Sequence, residues 1–464
     1  MAIGICARVK ALFGSLQIAE AVAPGNIRMH TGAVGHTPED KGKKSSFGNR
    51  KGWQPIEIKG AVEIEIGNPD FVLLLCKAAK MTGKIQAFQK KLPKLLVLGL
   101  LLFLGEYPRA KAQALLVADK VALDSMKKAI DLIYNFQFER AENCIKKWRQ
   151  PNAQHPAFIL FNSLFSFWKK FPIGAKPNDY QTYIKNLNQL VLQAHKLEKK
   201  YPNHPEPEFY LLLGNLILAR HQSEEGDYIK SVNSARKAYT YIKSGFLQKA
   251  DYPDFYFSTG LYNYYRVAFP ENHPLYKPFT VFFPDGSKAT GLKELEIATQ
   301  KSVFSRAEAF GFLSTIYLRD EFNVPMALKF ATQLHILYPD NWLYGIIYAE
   351  CLLESRKTEA AEEIIERLLA RSEMASLLGG YYLKGLSDTK KGNPDAAKWA
   401  FQKALQYAKS KDRPTKGYVS LCYLEMGKIA HEEGKRDWAR KYFKLALENS
   451  SFRKVKTEIS KLGY

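Results

Sequence analysis

Several features that would classify a chain at once are scarce or missing here. Five cysteines in 464 residues are too few for a disulfide framework. The most apolar stretch, Leu95 to Leu104 (LLVLGLLLFL), has ten uncharged residues, about half the length a bilayer-spanning helix needs. No Gly-rich phosphate loop, His-Glu-x-x-His, Gly-x-Ser-x-Gly or paired-cysteine spacing occurs. Carboxylates such as Glu362, Glu363 and Glu366 fall on a charged helix face and read as solvated. The expectation is a non-catalytic protein with no cofactor and no metal.

What is present is globular. Hydrophobic residues make up 46% and charged residues 25%, proportions that exclude disorder throughout. With 26 Tyr and 28 Phe, much of any core must be filled by rings. The formal charge is +22. The ten-residue apolar run is preceded by Lys84, Lys90, Lys91 and Lys94 and followed by the small-x-small triplets 110–112 and 112–114. A basic region, a short apolar core and such a triplet make up a secretory signal. Residues 81–114 are therefore read as signal-like, with Met81 as the expected working start. Residues 1–80, which lack helical periodicity, read as a poorly ordered upstream extension or a start-site artefact. A real extension followed by an uncleaved anchor helix is the alternative. Residues 115–464 retain 51 basic and 38 acidic residues, interleaved along the chain. That spread suits a solvated surface and peripheral attraction to membranes or acidic partners, and gives no nucleic-acid site.

From Leu115 onward the pattern is helical and repetitive. One unit reads Tyr423-x2-Met426-Gly427, then Gly434, then Ala439-x3-Phe443-x2-Ala446. The unit before it reads Tyr381-x2-Lys384-Gly385, Gly392, Ala397-x3-Phe401-x2-Ala404. The small residue on the first helix and the Ala opening the second let two antiparallel helices approach, and the Phe fills the space beside them. The second Gly suits the turn between them, where a positive φ is needed. Upstream, Ala361 and Ala327 take the second-helix position, and the steps between these alanines are 34, 36 and 42 residues. The last step implies an extended second helix around Gln406 to Lys411. Another unit starts at Tyr210-x2-Leu213-Gly214 and another at Tyr256-x3-Gly260. His155-Pro156 and His204-Pro205 fall just ahead of predicted helices, where Pro at the first turn loses no hydrogen bond. About eight helix pairs and a capping helix near 451–461 are expected.

This pattern resembles the tetratricopeptide repeat, of an exported bacterial type. The resemblance implies an all-α solenoid, a right-handed superhelix of helical hairpins whose concave face is lined by each first helix. It implies groove positions at Asn215, Leu218, Leu261, Tyr264, Arg319, Glu350, Lys428 and His431, each of which also reads as plain surface or as packing between repeats. The departure from ordinary repeats lies at about 269–287, an aromatic and Pro-rich insertion inside the fourth pair. Pro270, Pro274, Pro278 and Pro284 forbid a single helix there. Its rings read as anchors for the insertion. The alternative is a pocket in which Tyr264, Tyr265 and Phe282 supply ring faces, with Arg266 and Lys277 holding an anionic group. The functional expectation is a protein-interaction scaffold or adaptor of the bacterial envelope, periplasmic or outer-membrane-associated, holding a protein or peptide partner. A glycan- or small-ligand-binding protein using the insertion is the alternative.

Overall fold

The computed structural model describes residues 114–149, 152–171, 177–272, 283–408, 416–449 and 452–464. Residues 1–80 and nearly all of the signal-like segment lie outside this set, as do Lys277 and Phe282 of the insertion. The described residues form an all-α solenoid: 17 α-helices and no strand. The helices are α1 (Lys120–Tyr134), α2 (Phe138–Arg149), α3 (Pro156–Lys169), α4 (Pro177–Lys200), α5 (Pro205–Glu224), α6 (Tyr228–Gln248), α7 (Phe255–Asn272), α8 (Lys288–Lys301) and α9 (Arg306–Arg319). They continue as α10 (Val324–Leu337), α11 (Trp342–Glu354), α12 (Thr358–Leu369), α13 (Met374–Lys390), α14 (Pro394–Tyr407), α15 (Lys416–Glu432), α16 (Arg436–Asn449) and α17 (Arg453–Lys461). Each helix packs against the next, and odd-numbered helices also touch each other. The result is eight hairpins in sequence and a final single helix.

Two kinds of helix build this array. The second helix of a hairpin is amphipathic: α12 buries Ala361, Ile364, Ile365 and Leu368, which recur at helical spacing, and turns its glutamates outward. Several first helices are buried nearly all round. In α11 only two of 13 residues escape burial, and α9 is similar. A helix enclosed on every side has neighbours on both faces, so the odd helices form an inner layer and the even helices an outer one.

The repeat glycines act as their spacing predicts. A Cβ on Gly385 would stand 2.5 Å from the Phe401 ring, and one on Gly427 would stand 2.4 Å from the Phe443 ring. Each glycine therefore leaves room for the aromatic of its partner helix. The turn glycines Gly226, Gly392 and Gly434 have φ of 81°, 76° and 73°. The same turn in other hairpins uses Phe136, Phe322 and Arg356, also at positive φ.

Two local expectations are corrected. Helix α14 ends at Tyr407 with Ala408 as its cap, so it is not extended through Gln406 to Lys411 as expected; Lys411 itself lies outside the described residues. Pro270 lies inside the last turn of α7 and does not end it. Its missing N–H costs one bond, to the carbonyl four residues back, and the helix runs only two residues further. His155 and His204 are N-caps, each accepting a backbone N–H on its Nδ1 (Ala157 and Glu206, both 3.2 Å), with proline next. His155 Nε2 donates to the Ala114 carbonyl at 2.9 Å. Both ring nitrogens are thus committed to one neutral tautomer, and burial lowers the pKa to about 4 against the pull of that carbonyl.

The array also touches itself across distant hairpins. The end of α1 meets the turn between α10 and α11. Tyr338 donates to Asp131 at 2.6 Å, Asn341 Nδ2 donates to the Tyr134 carbonyl at 2.7 Å, and Gln137 donates to Asp340 at 2.9 Å. Tyr134, Trp168 and Tyr344 pack as a ring cluster beneath, with centroids 5.3 to 6.5 Å apart. Leu116 and Val117 donate their N–H groups to the buried Glu206 at the start of α5. The inner face of this region is occupied by the chain itself.

Candidate functional site

Each candidate residue has a definite place in the inner layer. Asn215 and Leu218 are buried in α5, and Asn215 Nδ2 donates to the Leu211 carbonyl one turn back at 2.7 Å. Leu261 and Tyr264 are buried in α7, where the Tyr264 hydroxyl donates to Glu321 at 2.6 Å and its ring meets Tyr265 edge-on. Arg266 Nη2 donates to the Phe283 carbonyl at 3.1 Å and reaches Asp285 at 3.3 Å. Tyr262 donates to the Pro284 carbonyl, and Tyr239 packs on Phe283. These groups therefore fasten the returning end of the insertion to α6 and α7. The two helices of that hairpin meet backbone to backbone: a Cβ on Gly291 would lie 2.6 Å from the Gly260 oxygen.

Four candidates from the later repeats, Arg319, Glu350, Lys428 and His431, converge on one object, helix α17 with its flanks. Arg319 and Glu350, 1% and 0% exposed, form a buried ion pair, and Tyr382 donates to the same carboxylate at 3.1 Å. The guanidinium lies over the rings of Tyr418 and Phe452, 5.6 and 4.8 Å from their centroids. Phe452 is the residue that opens α17. Lys454 of α17 pairs with Glu354 at 2.7 Å, and Lys390 approaches that carboxylate from the other side at 3.3 Å. Burial works against the charged acid, yet the two lysines hold the Glu354 pKa down to about 2. Burial likewise opposes charge on Lys454, and Glu354 and Glu350 outweigh it, so its pKa is raised. Arg453 lies over the Phe322 ring and donates to the Asp320 carbonyl. That contact gives the positive-φ Phe322 a use in holding α17.

Lys428 pairs with Glu425 of its own helix and Glu458 of α17. The carboxylates overcome its burial and raise its pKa. His431 Nδ1 meets the Tyr464 hydroxyl at 3.2 Å, with the rings edge to face. The apolar side of α17, Val455 and Ile459, is buried with Phe452. Each such side chain contributes roughly 1.5–3 kcal/mol of burial. Alternating charges and one aromatic anchor thus hold a short helix against the inner layer.

A second concavity adjoins this one. Between α16 and the end of α17 lies a cleft of about 810 Å³, lined in part by Arg436, Arg440, Lys444, Phe443, Leu447 and Leu462. Of the residues proposed from sequence, only His431 lines it. The three cations stand at intervals of four on α16. That spacing is the sequence signal for the cleft, and it is the same as the solvated face of any outer helix would show.

Among the described residues no group of three or more His, Cys, Asp or Glu is placed to hold a metal ion. None of their helices is long and apolar enough to cross a membrane. Cys351 and Cys422 are buried free thiols whose pKa values burial pushes up, and Cys144 is half-buried and free. The chain matches no protein-family model, and no curated protein matches its sequence.

Proposed function

We propose that the chain is a non-catalytic interaction scaffold of the bacterial cell envelope, built as a divergent tetratricopeptide array that holds a partner helix in its inner groove. One observation carries this reading. Arg319, Glu350, Lys428 and His431, chosen as groove positions from the repeat register, are gathered around a helix, namely α17 and its flanks. Side chains that seat one helix through a ring, lysines and carboxylates have the chemistry to seat another of the same kind. The repeat spacing and the filled glycine notches support the tetratricopeptide assignment. The signal-like segment supports the envelope placement.

The test is affinity capture by the full chain from crosslinked envelope fractions, with and without excess synthetic peptide spanning residues 452–464. A partner whose capture the peptide abolishes supports the groove reading; capture unaffected by saturating peptide refutes it. Mass spectrometry of the recovered chain reads the mature N-terminus at the same time. An intact Met1 species in the cytoplasm would remove the envelope placement.

A further inference from the structure

Some charges on the outer helices close ion pairs towards the next hairpin. Glu362 of α12 pairs with Lys391, and Lys398 of α14 pairs with Glu433 at 2.6 Å. Helix α16 is the last outer helix, and among the described residues its inward edge makes no such pair. Arg436, Arg440 and Lys444 stand one turn apart along one side, all exposed. Like charges at this spacing repel one another. Asp437 reaches Arg440 at 3.3 Å from an exposed position on the same helix. Among the described residues no carboxylate pairs with Arg436 or Lys444. The only acidic side chain lining the cleft is Glu448, at the far end of the row.

Beside the cations the cleft also has apolar walls. Phe443 and Ile459 form buried walls, Leu462 is half-buried, and Leu447 is 42% exposed. Two independent features therefore meet: a row of positive charge in which Arg436 and Lys444 have no carboxylate partner among the described residues, and apolar side chains beside it in a cleft with room for several side chains. A flat anionic surface would use the first and leave the second unfilled. A polypeptide segment uses both, because its side chains can alternate between carboxylates and an apolar anchor.

We propose that the α16–α17 cleft is a docking seat for an acidic segment of a partner protein. Its carboxylates lie along Arg436, Arg440 and Lys444, and its apolar anchor enters between Leu447 and Leu462. Glu448 repels acid at one end and so sets which way the segment runs. This deepens the scaffold reading, on which it rests, by naming the chemistry of a second contact beside the helix groove.

The experiment uses the full chain and a short fluorescein-labelled peptide in which Asp and Glu alternate with Leu and Phe, read by anisotropy. A matched peptide with Lys in place of the acids is the comparison. The acidic peptide should bind and the basic one should not, and affinity should fall between about 50 and about 300 mM salt as screening grows. The pair Arg440→Glu and Lys444→Glu should weaken binding at least tenfold, about 1.4 kcal/mol. Leu447→Asp should weaken it at least threefold, whereas Lys441→Glu, elsewhere on α16, should change it less than twofold. These positions are exposed, so unchanged thermal unfolding of each variant establishes that folding is intact.

Equal binding by the double variant would overturn the proposal, as would an equal loss with Lys441→Glu. So would no binding at millimolar peptide, or binding only to phosphatidylglycerol vesicles that the peptide cannot displace. The outcomes separate from those of the groove test. Partner capture blocked by the 452–464 peptide but untouched by the double reversal would leave the groove and remove this seat. Acidic-peptide binding lost on reversal, with no competed partner, would do the opposite.

Discussion

Removal of Glu350 should be among the most damaging single changes in the array. Its carboxylate faces the Arg319 guanidinium, both are inaccessible to solvent, and Tyr382 donates to it as well. Glu350→Ala leaves a guanidinium buried under the Tyr418 and Phe452 rings with its counter-charge gone. Breaking a buried pair from one side typically costs about 3–5 kcal/mol, a large share of the roughly 5–15 kcal/mol that holds a folded domain together. Replacing both partners is different, because the desolvation cost leaves with the charge. Arg319→Met with Glu350→Leu should therefore cost much less than Glu350→Ala alone, ranging from near neutral to a small gain. Guanidinium unfolding followed by circular dichroism measures all the variants, with an unchanged slope as the check on the transition. A cost below about 1 kcal/mol for Glu350→Ala would mean that the cation is not enclosed. Additive costs in the double variant would mean that the two charges are not coupled. Either result would refute the picture of a groove closed by the chain's own C-terminal helix.

Other expectations follow from the same contacts. Gly427→Ala places a methyl group against the Phe443 ring and should cost about 1–3 kcal/mol by overpacking, measured by the shift in the denaturant midpoint. Arg356, exposed at a φ of 58°, should accept glycine with a gain of about 0.5–1 kcal/mol; a loss would show that its side chain is holding something. His155 titrates at about 4 when folded, against an ordinary value of about 6.5. The unfolded chain therefore binds the extra proton first, and stability should fall by about 3 kcal/mol as pH drops through that window. Glu206 beside it, its pKa raised by burial, works in the opposite sense, so the readout is the difference between wild type and His155→Asn. Glu354 is held at about 2 by its lysines despite burial, so its contribution is present above the ordinary carboxylate range and lost below it. Hydrogen exchange should show α17 loosening first as pH falls from about 5 towards 2, and equal protection of α17 and α11 at low pH would count against this.

The hairpins were legible because their contacts are local and repeat. Gly385 and Gly427 each await a Phe on the neighbouring helix, and the sequence places Phe401 and Phe443 sixteen residues later in both units. The turns were legible only where glycine stands at the positive-φ position. Phe136, Phe322 and Arg356 hold the same left-handed position without the residue that advertises it. Two of those three are rings with distant contacts: Phe136 packs near Trp342, and Phe322 lies under Arg453. Strain at a turn is tolerated where a far segment needs that side chain, and a local pattern cannot express it. The filling of the groove was harder to see, for the same reason. Arg319, Glu350, Lys428 and His431 follow from the register alone, but their partners Phe452, Glu458 and Tyr464 come from the chain's end and obey no repeat.

A signal for that closure was nonetheless present in the sequence. An inner helix facing an open, watered groove should carry a polar stripe on that side, as any half-buried helix does. The run from Trp342 to Leu353 offers almost none, with one carboxylate, Glu350, among apolar neighbours. A first helix apolar on every face is incompatible with solvent on its concave side, since each exposed Leu or Ile would forgo roughly 1.5–3 kcal/mol of burial. The loss of amphipathic pattern in α9 and α11 thus requires that something cover them, and in this chain the cover is α1 on one side and α17 on the other. Among the described residues the α16 edge has no such cover, and there three cations and an exposed leucine stand side by side. The faces that the chain covers for itself are apolar, whereas the α16 edge sets exposed cations beside an exposed leucine, and that contrast is what the proposed docking seat rests on.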